Sequence, residues 1–116
     1  MESILLSIKK LLGAPESYED YDTDIIIHIN SVLMILEQLG VGVEGFAIED
    51  DSATWDDFFG EQHSIEGVKS YVYMKVKLIF DPPQSGILRD SYQKLCDEFE
   101  WRLNVQVDPS QQKKEG

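Results

Sequence analysis

The side chains able to do chemistry are few, and their spacing is wrong for it. Asp20-x-Asp22-x-Asp24 has the rhythm of an opening calcium loop. Such a loop wants glycine at its sixth position and a carboxylate at its twelfth. Those places hold Ile25 and Ser31, so the oxygen shell does not close. His28 and His63 lie 35 positions apart with no cysteine or second histidine near either. A zinc site needs three or four protein ligands, so His28 reads as a histidine of an apolar helix and His63 as a loop residue. Cys96 falls on the apolar side of a helical pattern, where a thiol is inert, and neither histidine is placed to activate it or a serine. Gly40-Val-Gly-Val-Glu-Gly45 lacks the preceding strand, the following helix and the lysine of a phosphate loop. The acid pairs Asp50-Asp51 and Asp56-Asp57 sit in polar sequence, where adjacent carboxylates are hydrated rather than catalytic. The chain reads as a non-enzyme with no catalytic residue, no metal and no cofactor.

The elements that carry these residues are mainly helical. Ile4, Leu5, Ile8, Leu11 and Leu12 recur at helical spacing over Glu2 to Leu12, Lys9 and Lys10 suit the helix C-terminal pole, and Gly13 supplies the stop. An acidic loop from Glu16 to Asp22 ends in the N-cap candidates Asp22 and Thr23. Thr23 to Leu39 reads as the central helix, with a stripe of Ile25, Ile29, Val32, Leu33, Leu36 and Leu39 wide enough for burial on more than one side. From Val41 to Gly60 no helical period holds. Phe46-Ala-Ile48 suits a short strand or extended edge, and Ser52 or Thr54 suits the cap of a single turn holding Trp55, Phe58 and Phe59. Ser64 to Phe80 is the third helix, capped by Ser64 and ended by Asp81-Pro-Pro83. The fourth runs from Ser85 or Gly86 to about Leu103, burying Leu88, Tyr92, Leu95, Cys96, Phe99 and Leu103. The expected fold is thus mainly α: about four helices with a long acidic loop between the second and third. A single domain is expected over 1–105, with a flexible tail or arm at 106–116.

Charge narrows the function. The net charge is −12, and its placement matters more than its size. Glu16 to Asp24 and Glu44 to Glu61 hold 12 of the 22 acids and no base, so the remaining ten balance the ten bases. Affinity-driven nucleic-acid binding needs clustered Lys and Arg, and this distribution argues against it. A surface that faces DNA and repels it is compatible. No apolar run approaches the roughly 20 residues of a membrane span, and the N-terminus does not read as a signal peptide. One cysteine fits a reducing cytosol.

The segment Ile65-Glu-Gly-Val-Lys-Ser-Tyr-Val-Tyr-Met-Lys-Val-Lys-Leu-Ile-Phe-Asp-Pro-Pro83 and the ending Glu98-Phe-Glu-Trp-Arg-Leu-Asn104 resemble the small head–tail connector (head-completion, adaptor) proteins of tailed phages and prophages of Gram-positive bacteria. Ile25–Ile29 leading into Asn30-Ser31-Val32 is similar to their opening, and the likeness spans roughly residues 2–105. It implies a helical, non-catalytic fold and a ring, usually dodecameric, docked beneath the portal in the virion neck after assembly in the bacterial cytoplasm. It implies a further neck or tail protein on the other face, a channel that passes DNA without specific binding, and no membrane. Asp20, Asp22, Asp24, Asp50, Asp51, Asp56 and Asp57 are the candidates for an acidic channel wall or surface. The alternative class is an acidic helical interaction module, such as a DNA-mimic inhibitor or a toxin-neutralising partner. Candidate interface anchors are Trp55, Phe58, Tyr73 and Trp101, because Trp and Tyr are enriched in hot spots and Phe in interfaces generally. Each competes with a place in the chain's own core, and for Trp101 the core is the first expectation.

Overall fold

The computed structural model describes residues 2–15, 17–62 and 67–107. Five helices follow in order: α1 (Ile4–Leu12), α2 (Asp22–Gln38), α3 (Trp55–Phe59), α4 (Val68–Phe80) and α5 (Gly86–Val107). The mainly helical expectation holds, with α3 as the single turn foreseen in the acidic loop.

Local chemistry sets most boundaries. Ser3 Oγ accepts from the Leu6 amide at 3.2 Å and opens α1. Gly13, at φ 84°, closes it in the left-handed region where only glycine is unstrained. Thr54 caps α3 through a reciprocal box with Asp57. The start of α2 departs from expectation. The helix begins at Asp22, and Tyr21 takes the cap position without a side-chain bond. Asp22 is not free to cap, because its carboxylate is engaged by Lys9. The expected N-cap Ser64 and the loop residue His63 lie outside the described residues, as does the tail from 108 onward. The helix α5 continues to Val107, past the end expected near Leu103.

Helix α4 is the hub. Its Val68, Tyr71, Val72 and Val76 are buried, and α1, α2 and α5 all pack on it. From α2, Ile25, Ile29, Val32, Leu33 and Leu36 enter the core, joined by Ile4, Leu5 and Ile8 of α1. The acidic loop is tied to this core rather than loose: Val41, Ile48, Trp55, Phe58 and Phe59 are all buried. Each such apolar side chain contributes roughly 1.5–3 kcal/mol. Phe46–Ile48 is not a strand. The Asn30 amide takes both main-chain groups of Ile48, donating to its carbonyl at 3.0 Å and accepting from its amide at 2.8 Å. A side chain thereby replaces the ladder partner that an extended edge would need. Among the described residues the β pairing is a single bridge between Ser3 and Thr54.

The inward face of α5 is narrower than its sequence pattern. Cys96 and Leu103 are buried and Tyr92 and Phe99 half-buried, but Leu88 and Leu95 are exposed. Only α4 covers this helix to any extent, and one neighbour shields one stripe.

Candidate functional site

The two acidic segments, far apart in sequence, meet in space. Glu19, Asp22 and Thr23 face Glu49, Asp50 and Asp51 across an open cleft of about 380 Å³ whose floor is Leu5, Leu6 and Ile26. Of the acidic candidates, Asp22, Asp50 and Asp51 converge here. Asp20, Asp24, Asp56 and Asp57 are exposed outside it.

Beneath the cleft lies a residue that charge patterning missed. Lys9 is 1% exposed, and its Nζ stands 2.8 Å from Asp22 Oδ1. It also donates to the Tyr18 carbonyl at 2.8 Å. The Asp22 contact is a charge pair rather than an aligned hydrogen bond, since its buried Oδ1 finds no well-angled donor. The lysine expected at the α1 pole is thus an internal staple holding the first acidic segment to α1. Its place one turn after Leu5, on the apolar stripe, was the available signal. Asp50 Oδ1 accepts from the Ser52 hydroxyl at 2.6 Å and from its amide at 2.9 Å. These bonds hold the Asp50 carboxyl below its usual range, so it stays anionic. Among the described residues no group of three His, Cys, Asp or Glu side chains gathers as a metal site.

The candidate anchors divide. Trp55 and Phe58 pack inside their own chain, and Trp55 Nε1 donates to buried Ser7 Oγ at 2.9 Å. Their aromatic surface serves the loop, as the competing core reading has it. Tyr73 is half-buried, and its hydroxyl lies 3.5 Å from that of Tyr92. That contact, with burial behind it, pushes the Tyr73 phenol up to about 12. Trp101 reverses its first expectation. It is 66% exposed, because its position on α5 points away from α4. The α4–α5 seam is polar at one point: Tyr71 Oη donates to Glu100 Oε2 at 2.6 Å, and Lys75 Nζ stands 3.0 Å from the same oxygen. Burial, then that hydrogen bond, pushes the Tyr71 phenol up. Burial also pushes the Cys96 thiol up to about 11, against the Lys75 charge and with that of Glu100. Such a thiol is protonated at neutral pH and a poor nucleophile. His28 is half-buried beside the Phe80 ring at 6.1 Å.

The features with room for a partner are therefore an acidic cleft and outward helix faces. A family model described as phage connector protein matches residues 4–110, a span containing all five helices. The chain belongs to the phage connector family. No curated protein and no solved structure matches it. As a phage head–tail connector it is a structural, virion-associated protein of an assembly built with other phage proteins. No activity as an enzyme is known for the family. No helix among the described residues is long and apolar enough to cross a membrane.

Proposed function

We propose that this connector is a ring-forming neck subunit, dodecameric as is usual for its relatives, seated beneath the portal and followed by a further neck or tail protein. The observation that carries the reading is the family match across every helix, from 4 to 110. The surface chemistry supports it. A net charge of −12, with Glu19, Glu49, Asp50 and Asp51 concentrated at one cleft, creates a field that repels the phosphate backbone. A channel wall of that character lets DNA pass without holding it. Of the proposed anchors, Trp101 has surface to offer a neighbour, with Tyr73 contributing an edge.

Electron microscopy of the chain mixed with the portal protein of the same phage tests the proposal. A ring docked on one portal face, with the acidic cleft toward the axis, is the expected image. A ring with the cleft on its outer rim removes the channel-wall role. Particles of bare portal, with the chain still monomeric, remove the neck role itself.

A further inference from the structure

The last helix is held differently from the others. It is the longest, at 22 residues, yet among its described side chains it gives the buried core Cys96 and Leu103 alone. Nine-residue α1 gives Ile4, Leu5 and Ile8. Among the described residues α1, α2 and α4 pack on one another, whereas α5 leans substantially on α4 alone. Taking α5 away therefore leaves the packing among α1, α2 and α4 in place.

Much of what joins α5 to α4 is polar. Tyr71 Oη donates to Glu100 Oε2, Lys75 pairs with the same oxygen, and the hydroxyls of Tyr73 and Tyr92 lie 3.5 Å apart. Each of these groups exchanges its partner for water when the helices part, so the net penalty for breaking it is small. The apolar hold comes from Cys96, Leu103 and the Phe99 ring, 5.2 Å from that of Tyr71.

The connection between the two helices is built to turn. Pro82 and Pro83 keep α4 and α5 from joining into one rod. Pro83 is buried and fixes the near end, while Gln84, Ser85 and Gly86 beyond it are exposed. Gly86 starts α5 with no side chain to hinder rotation. Arg89 reaches back across this stretch, its Nη1 donating to the Pro83 carbonyl at 2.8 Å and to that of Gln84 at 3.1 Å. That clasp, like the seam, consists of hydrogen bonds that water can replace.

We propose that α5 is a hinged strap: it swings off α4 as a unit about Gln84–Gly86 while α1 to α4 stay folded, uncovering Tyr71 and the face of α4 around it. Opening short of global unfolding is what an element with few apolar contacts to the rest undergoes. The connector then has two surfaces to present during assembly, one closed and one open. The inference does not depend on the ring or the portal.

Cys96 reports the motion, since it is fully buried on the α5 side and is the chain's single cysteine. The full chain is labelled with a disulfide reagent from zero to moderate urea, while circular dichroism follows global unfolding. In dilute urea Cys96 should react at least roughly tenfold faster than global unfolding allows, with a shallow urea dependence, because that slope follows the surface exposed. Glu100→Gln should speed the labelling about fivefold, and Leu103→Ala about tenfold or more. Ile8→Val weakens the α1 side of the core, so it should lower the global midpoint and leave labelling in dilute urea unchanged. Labelling whose energy and urea slope match those of global unfolding overturns the strap. So does labelling that Ile8→Val speeds as much as it speeds global unfolding, or that neither seam variant moves.

Discussion

Lys9 bears the heaviest load of any single charged residue here. A buried ammonium persists only when partners replace its water, and Asp22 with the Tyr18 carbonyl does so. Lys9→Met keeps much of the side-chain volume but strands the Asp22 carboxylate. Urea unfolding should show a loss of about 2–4 kcal/mol, below the fully buried range because Asp22 keeps 23% of its exposure. Cys96 gives a second residue-scale prediction. Burial pushes its folded pKa up to about 11 from the ordinary thiol value of 9.0, so its contribution to stability is complete below pH 9 and is lost as pH rises toward 11. In that window the unfolded thiol has released its proton while the native one has not. The melting temperature should fall across it, and Cys96→Ala should flatten part of the fall. At pH 8 the native thiol should react with a disulfide reagent much more slowly than in urea, because burial both keeps it protonated and covers it.

Short elements hold the acidic loop where long helices do not reach. The Thr54 box is the start signal of α3, and α3 in turn sinks Trp55, Phe58 and Phe59. Thr54→Ala should cost about 1 kcal/mol, read by the same unfolding experiment. Gly42 matters more. Its φ is 92°, and a Cβ there would run into the Phe58 ring. Gly42→Ala combines a strained backbone with a steric overlap in the core, so a loss of about 2–4 kcal/mol is expected. The two substitutions separate cap from packing: the first loosens one helical turn, the second displaces the loop's main anchor.

For the whole molecule the unbalanced charge sets the behaviour. Two base-free acidic segments are brought together at one cleft, where Lys9 is paired with Asp22. The remaining carboxylates repel one another through water, and salt screens that repulsion. The melting temperature should rise as sodium chloride goes from low to high concentration. A variant with Glu49, Asp50 and Asp51 as amides should melt higher at low salt and respond less to added salt. A salt response unchanged by those three substitutions would place the repulsion elsewhere. The same cost is consistent with a surface retained for its field rather than for stability.

What the sequence determined by itself is the set of long helices, the stop at Gly13, the capped turn at Thr54, the inert Cys96 and the acidic character of the loops. Periodicity, capping chemistry and composition are local, and each of these features is decided within a few residues. The family resemblance was legible too, in the run from Ile65 to Pro83 and the ending at Asn104. Tertiary structure alone decided which side of each pattern faced a neighbour. Trp101, Leu88 and Leu95 carry the same apolar signal as Leu103, yet only the last is covered, because a single helix lies against α5. Lys9 and Asn30 look like ordinary polar residues until Asp22, Tyr18 and Ile48 arrive beside them. The cleft, likewise, exists only because folding brings residues 19–23 against 49–51. Each of these depends on contacts between residues distant in the chain, and no local pattern encodes the partner.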